Sequence, residues 1–274
     1  MALTIGPKTS FVLPGTDAYQ FHSGVTDRDY EVLITVMASG KPGTRYPVLY
    51  HPDGDLGPSF PVMVPLMQLG KELPGMIVVS VGYGLGGLVS DPVVLQRWAT
   101  LRMTDLIPTL QPDGSGGGAP DFLRFVSEEL MPFVNANYPA DADDCGLAGD
   151  SLGGLFALYA ILASPGMFRR CLAGSPSIGR SRDLLFSLEE QLAESGQDPP
   201  TRLFMGAGSL EGDPMLSNMN AMTDRLRSRG YSNFKLTAKV FDDETHVSVW
   251  PASFSRGLKG HLRDGLTGRS RSSR

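Results

Sequence analysis

The sequence predicts an α/β protein with a mostly parallel central sheet, helices on both faces of the sheet and no lid domain. Residues 76–81 are apolar except for Ser80, which is typical of a central parallel strand. After a strand-rich start, strand and helix patterns alternate along the chain, as a parallel sheet with crossover helices requires. The 274 residues are enough for one large core, so we expect a single domain over residues 1–264.

The remaining elements follow from the spacing of apolar side chains. Residues 30–37 alternate in part between apolar and polar side chains, which suits an antiparallel strand at the sheet edge. A helix is expected from near Pro120 to before Pro139, and a later one ends at Gly230. Their apolar faces consist of Phe122, Phe125, Val126, Leu130, Phe133 and Val134 in the first helix, and Leu216, Met219, Met222 and Leu226 in the second.

The most informative motif is G-x-S-x-G, formed by Gly149, Ser151 and Gly153. Residues 145–148 resemble a short buried strand, and residues 152–162 are long and apolar enough for a buried helix. In such a strand–turn–helix, a strained serine exposes its hydroxyl at the carboxyl edge of the sheet, and the helix amino terminus offers unpaired N–H groups. The alternative is a glycine-rich turn whose serine only caps the helix. We expect Ser151 to be a nucleophile.

A serine needs a base to become a nucleophile near neutral pH, and four histidines are present. We place His22 in the amino-terminal strand region, His51 at the end of an early strand and His261 in the basic tail. His246 follows residues 234–241, whose alternation predicts a half-buried strand. A loop after a late strand is where this fold class carries its base, so His246 is the candidate. A loop histidine bonded to an acidic neighbour is the alternative.

The orienting acid is expected between Ser151 and His246, because α/β-hydrolases follow the chain order serine, acid, histidine. Residues 202–206 predict a strand, and Glu211 lies in the loop at its carboxyl end. Glu211 is the first choice and Asp213 the reserve. Solvated turn carboxylates are the alternative for both, and Asp242 or Asp243 could also reach the imidazole from its own loop.

Segments spread over almost the whole chain resemble the putative-esterase family of the α/β-hydrolases, which includes enterochelin (siderophore) esterases, feruloyl esterases and mycolyltransferases. The run from Tyr46 to Gly54 is similar to the family strand that ends in Leu-Asp-Gly, with Pro52 replacing the leucine. Further similar segments are Arg102 to Pro108 (R-x-x-D-[LY]-x-P), Gly117 to Phe125, Glu128 to Phe133, Ser175-Pro176-Ser177 and His246 to Trp250.

This resemblance implies an α/β-hydrolase fold and a serine ester hydrolase that works through an acyl-enzyme. The family's carboxylate position maps onto Glu211, although some siderophore esterases are thought to use a serine–histidine dyad. The implied oxyanion-hole donors are the backbone N–H groups of Leu152 and Asp55. An ionised Asp55 carboxylate would disfavour the oxyanion unless its side chain turns away. Two alternatives stay open: an acyltransferase on the same triad, and a catalytically silent binding protein with the hydrolase fold.

Two further features concern the substrate cleft. Residues 82–87 match the dinucleotide fingerprint G-x-G-x-x-G, but Asp91-Pro92 interrupts the helix that should follow. A mobile loop at the rim of the active-site face is therefore the better interpretation. Residues 111–120 are expected to form part of the same rim. The link after Ser177 has room for one helix only, around residues 184–192, which predicts an open cleft for a bulky or extended ester. Arg180 and Arg182 are either contacts for an anionic group there or solvated side chains at a helix start.

Composition, with a net charge of −5, is consistent with an ordinary soluble enzyme, and the first twenty residues lack the apolar core of a signal peptide, so we expect a cytoplasmic protein. The family resemblance implies a small-molecule ester or lactone as substrate. No signal peptide or membrane span is expected in the sequence, and we expect no cofactor, no metal and no nucleic-acid partner. Cys145 and Cys171 are expected as free thiols in neighbouring buried strands. Residues 265–274 are polar and basic, which predicts a disordered tail.

Overall fold

The computed structural model describes residues 13–38, 40–56, 59–87 and 89–262, so the predicted tail at 265–274 lies outside the described residues. Eight strands form one sheet in the order β1-β2-β4-β3-β5-β6-β7-β8. The strands are β1 (Thr16–Ser23), β2 (Arg28–Met37), β3 (Tyr46–His51), β4 (Met76–Gly82), β5 (Ala140–Asp150), β6 (Arg170–Gly174), β7 (Arg202–Gly208) and β8 (Lys235–Phe241).

Most of the sheet is parallel, as predicted. β2 pairs antiparallel with both β1 and β4, and every other neighbouring pair is parallel. The predicted antiparallel strand at 30–37 is β2, but β1 occupies the edge outside it. The apolar run at 76–81 is β4, which is buried throughout and is parallel to β3 on one side only. β8 is the opposite edge strand and is more exposed than its alternation predicted.

Helices cover both faces of the sheet, as predicted. They are α1 (Ser59–Leu69), α2 (Pro92–Leu106), α3 (Ala119–Arg124), α4 (Met131–Asn137), α5 (Leu152–Ala163), α6 (Arg182–Glu194), α7 (Asp213–Ser228) and α8 (Val249–Leu262), with a π-helical segment, Phe125–Leu130, joining α3 to α4. His261, which the sequence placed in the tail, belongs to α8. The link between β6 and β7 holds one short 3-10 turn and α6, without a lid domain.

Two hydrophobic cores lie on opposite faces because successive side chains of a strand point to opposite sides. Val48 and Tyr50 of β3 join the larger core, which the apolar faces of α3 to α7 complete. Leu49 between them joins the smaller core, under α1 and α8. Cys145 and Cys171 are buried free thiols in the adjacent strands β5 and β6, as predicted. Within the described ranges, no helix combines the length and the apolar character needed to cross a bilayer.

The topology brings the predicted site residues to one edge. Parallel strands end at the same side of a sheet, and ligands of open α/β sheets bind outside those carboxyl ends. Asp55 follows β3, Ser151 follows β5, Glu211 follows β7 and His246 follows β8. Residues more than 190 positions apart in the chain therefore meet at one cleft.

Candidate active site

Ser151 lies at the sharp turn between β5 and α5, with φ 57° and ψ −113°. Few residues other than glycine adopt a positive φ, so this conformation is held by its surroundings. The turn also brings the backbone on either side together, because a Cβ at Gly149 would lie 2.3 Å from the carbonyl carbon of Gly153. Only glycine at position 149 allows this approach, which places the serine hydroxyl at the cleft.

The imidazole of His246 bridges Ser151 and Glu211. Its Nε2 is 3.0 Å from Ser151 Oγ, and its Nδ1 is 2.7 Å from Glu211 Oε2. The His246 side chain is 41% exposed, whereas that of Glu211 is 2% exposed. The arrangement is the one that a nucleophile, a base and an orienting acid require: the carboxylate fixes the tautomer, and the other ring nitrogen faces the hydroxyl.

Glu211 is held by two hydrogen bonds besides the one to the imidazole. Its Oε1 accepts from Ser175 Oγ at 2.6 Å and from the Gly208 N–H at 2.7 Å. Ser175 is fully buried and has a φ of 37°. The segment Ser175-Pro176-Ser177 resembles the family sequence, but no pattern in the sequence predicted the contacts of its two serines. The second contact is Ser177 Oγ, which is 3.3 Å from Ser151 Oγ.

The other acid candidates do not face the imidazole. Asp213 is exposed at the start of α7, and Asp242 and Asp243 are exposed in the turn after β8. That turn is joined to the β7 loop, because the Asp243 N–H donates to Ser209 Oγ at 2.9 Å and the Leu210 N–H donates to the Glu244 carbonyl at 3.0 Å. These bonds fix the loops that carry Glu211 and His246 against each other.

The two backbone groups expected in the oxyanion hole lie at the same edge. Leu152 is the first residue of α5, where an N–H has no acceptor within the helix. Asp55 lies in the 3-10 turn Gly54–Leu56 after β3. Its carboxylate accepts from the Tyr83 N–H at 2.8 Å, which ties the side chain to the end of β4. Burial raises the pKa of this carboxyl.

A buried ion pair lies behind the serine and joins two of these segments. Arg102 Nε is 2.5 Å from Asp53 Oδ1, Nη2 is 3.1 Å from Oδ2, and Nη2 also donates to the Asp150 carbonyl at 3.0 Å. The guanidinium lies 4.4 Å from the centre of the Trp98 ring. The resemblance covered Asp53 and Arg102 but assigned neither a role. A single cation thus connects the turn that carries Asp55 with the residue before Ser151.

Asp150, which precedes Ser151, is a second ionisable group behind the site. Its Oδ1 is buried and has no hydrogen-bond partner among the described residues. Burial raises the pKa of Asp150 to about 7, and the charges of His246 and Arg102 act in the opposite direction. The side chain therefore changes its charge near neutral pH, one residue away from the serine.

The remaining predicted features are on the rim. β4 ends at Gly82, and α2 begins only at Pro92, so no helix follows the glycine-rich residues directly. Arg180 is exposed and lines a cleft of about 300 Å³ together with Ser177 and Asn218. Arg182 is exposed as well and donates to Asn218 Oδ1 at 3.0 Å. Arg180 is thus the arginine of the two that borders the cleft.

The sheet order, the strained turn and the hydrogen-bonded serine, histidine and glutamate define the α/β-hydrolase fold with a serine hydrolase type of site. The chain belongs to the putative esterase family, whose model matches residues 23–250. Relatives that cover two thirds or more of the chain are named esterases, and the protein is a carboxylic ester hydrolase.

Three relatives illustrate this similarity. The ferri-bacillibactin esterase BesA of Bacillus subtilis (strain 168) is 28% identical over 93% of this chain and 92% of its own. The siderophore enterobactin esterase of Emericella nidulans is 30% identical over 67% of this chain and 71% of its own. Among solved structures, the BES protein from Bacillus cereus superposes with a TM-score of 0.82 at 27% identity, covering 94% of this chain and 98% of its own.

Proposed function

We propose that the protein hydrolyses carboxylic esters through Ser151, His246 and Glu211, with an acyl-enzyme intermediate. The observation that carries this proposal is the unbroken series of hydrogen bonds from Ser151 Oγ through both nitrogens of His246 to the buried Glu211. The Glu211 side chain is 2% exposed and its carboxylate has three hydrogen-bond partners, which is not the environment of a solvated carboxylate in a turn. The geometry therefore favours Glu211 over Asp213 as the acid.

The chemistry follows from this geometry. His246 Nε2 takes the proton as Ser151 Oγ attacks the ester carbonyl carbon, and the carbonyl oxygen becomes an oxyanion. The imidazolium, which Glu211 stabilises, then returns the proton to the departing alkoxide, and an acyl-serine remains. Water repeats the sequence and releases the acid. Proton transfer of this kind contributes about 10²–10⁴-fold to the rate.

The N–H groups of Leu152 and Asp55 are the proposed oxyanion donors. One such donor contributes about 10²–10³-fold. The hydrogen bond from Tyr83 to Asp55 supports this role, because it holds the carboxylate at the end of β4 and so limits its repulsion of the oxyanion.

The substrate proposed for this chain is an ester or lactone of the siderophore type, because the relatives that match most of its length are named for siderophore esters. The link from β6 to β7 without a lid leaves the cleft open to a substrate of that size. Transfer of the acyl group to an alcohol or amine is the second candidate, because the exposed His246 edge is open to an acceptor other than water.

A fluorophosphonate probe followed by intact-mass measurement tests the nucleophile. We expect one adduct on the wild type and none on Ser151→Ala. Ser177→Ala is the matched control, because its hydroxyl is 3.3 Å from that of Ser151 but is not bonded to the imidazole, and it should still be labelled. An unlabelled wild type would indicate a silent binding protein. A labelled Ser151→Ala would place the nucleophile elsewhere.

Product analysis separates hydrolysis from acyl transfer. The same ester is incubated with and without an alcohol or amine acceptor, and the products are identified by mass spectrometry. Free acid as the main product in both cases is the result expected for a hydrolase. Acyl transfer to the acceptor as the main product would favour the second candidate.

A further inference from the structure

An apolar cavity lies between α1 and the beginning of α8. Its volume is about 470 Å³, within the usual range of about 300–1,000 Å³ for small-molecule sites. Every lining side chain is apolar, and those used below are Leu56, Met63, Leu66, Val247, Trp250 and Phe254. Among the described side chains that line it, none is charged and only the Trp250 indole can form a hydrogen bond, so these side chains offer contact area without selecting for charge.

The cavity adjoins the reacting groups on two sides. Leu56 is bonded to Asp55, a proposed oxyanion donor, and Val247 is bonded to His246. Because consecutive Cα atoms are about 3.8 Å apart, the lining begins within one residue of each of these groups. His246 Nε2 is in turn 3.0 Å from Ser151 Oγ. The lining of the cavity therefore begins next to the groups that would surround an ester carbonyl at Ser151.

Some apolar side chains of the lining are exposed to water, and a bound ligand would cover them. Leu66 is 67% exposed and Val247 is 79% exposed. Clusters of exposed apolar side chains around a concave surface mark binding sites more often than single exposed residues do. The cleft near Ser177, by contrast, is bordered by Arg180 and Asn218. The apolar and polar parts of a substrate thus have separate surroundings.

We propose that this cavity, here called the apolar subsite, binds a hydrocarbon group of the substrate ester, aliphatic or aromatic, next to the scissile bond. The proposal rests on the proposed function, because it requires the ester carbonyl to be at Ser151. It adds a substrate class: esters with a sizeable apolar group on at least one side of the carbonyl. Both the acyl and the alcohol side offer such a group, and the test distinguishes them.

The test compares two series of esters. In the first, p-nitrophenyl acetate, butyrate and hexanoate vary the acyl chain; in the second, ethyl, butyl and hexyl acetates vary the alcohol. Each methylene buried in the subsite is expected to raise kcat/KM about fourfold, so one series should rise on the order of 10²-fold over four methylenes. The series that rises identifies the side of the ester that enters.

Leu66→Glu places a charge in the subsite, and Leu69→Glu is its matched control, on the same helix, 82% exposed and outside the lining. In the rising series, the ratio of kcat/KM for the longest to the shortest ester should fall at least tenfold in Leu66→Glu and stay constant in Leu69→Glu. An equal ratio in both variants would overturn the proposal.

Labelling of Ser151 by the fluorophosphonate separates the two possible failures. Labelling with acetate hydrolysis, but with flat profiles in both series, would overturn the apolar subsite and leave the proposed function standing. Absence of both labelling and hydrolysis would overturn the proposed function and the subsite with it.

Discussion

Arg102→Met tests whether the buried ion pair behind Ser151 supports both stability and the rate of reaction. Arg102 is 7% exposed and Asp53 is fully buried. The substitution removes two charge-assisted bonds to Asp53 and one to the Asp150 carbonyl. Methionine keeps much of the side-chain length over Trp98, so the main loss is electrostatic.

The expected loss of stability follows from the carboxylate that is left behind. Removing one partner of a buried pair leaves an uncompensated charge and costs about 3–5 kcal/mol. Asp53→Leu combined with Arg102→Met removes both charges and should destabilise less than Arg102→Met alone. Because Arg102 also connects the turn of Asp55 with the residue before Ser151, a displacement of about 1 Å in either should lower kcat about 10²-fold.

Urea unfolding followed by circular dichroism measures the first effect, and ester hydrolysis at a temperature where the variant is folded measures the second. The matched control is Arg124→Met, whose ion pairs with Asp121 and Glu128 are exposed and should contribute little to stability. An Arg102→Met protein within 1 kcal/mol of the control, with an unchanged kcat, would refute the reasoning.

Three further predictions concern the groups around the serine. Glu211→Gln should lower kcat about 10²-fold or more, because an amide N–H in place of Oε2 selects the wrong tautomer of His246. Asp213→Asn changes an exposed side chain and should keep the wild-type kcat. Equal rates for the two variants would exclude Glu211 as the acid. Ser175→Ala removes a donor from the buried Glu211 and should cost about 1–3 kcal/mol in urea unfolding, and a loss below 0.5 kcal/mol would contradict that contact. Asp150→Asn should flatten the pH dependence of stability. The pKa of Asp150 is about 7 in the folded protein against an ordinary 3.8, so between these pH values the folded wild type keeps a proton that the unfolded chain has released. Wild-type stability should therefore fall as pH rises from about 4 to 7, by up to about 1.4 kcal/mol per pH unit, and parallel stability curves for the two proteins would contradict the assignment.

The sequence was sufficient for the features that depend on local pattern and chain order. The strand–turn–helix around Ser151 is encoded in neighbouring residues, and the structure has it with the predicted bounds of α5 nearly unchanged. His246 and Glu211 could be selected because each follows a recognisable strand, and parallel strands end at one edge. The choice between Glu211 and Asp213 stayed open, because only the course of the loop after β7 decides which carboxylate turns inward.

Contacts between distant segments were beyond the reach of the sequence. The bond from Ser175 to Glu211 joins residues 36 positions apart, and that from Arg102 to Asp53 joins residues 49 apart. The spacing of apolar and polar residues along the chain does not indicate such a pairing. The edge position of β1 and the exposure of β8 depend on strand order, which alternation within one strand does not determine. The apolar subsite is likewise lined by residues of α1 and α8, which are far apart in the chain.

The strain at Ser151 is itself testable, because two substitutions remove the hydroxyl and differ only in the backbone that they tolerate. The residue is held at φ 57° by its N–H, which donates to Gly174 at 2.9 Å, and by its carbonyl, which accepts from Leu155 and Ser177. Such a conformation costs about 1–3 kcal/mol for a residue with a Cβ and much less for glycine. Ser151→Gly should therefore be more stable than Ser151→Ala by about 1 kcal/mol in urea unfolding, after the larger chain entropy of unfolded glycine is subtracted. Because both variants lack the hydroxyl, the difference isolates the backbone. If Ser151→Gly were no more stable than Ser151→Ala, the backbone at residue 151 would not be strained. The serine hydroxyl would then be positioned by His246 and the helix rather than by a strained backbone conformation.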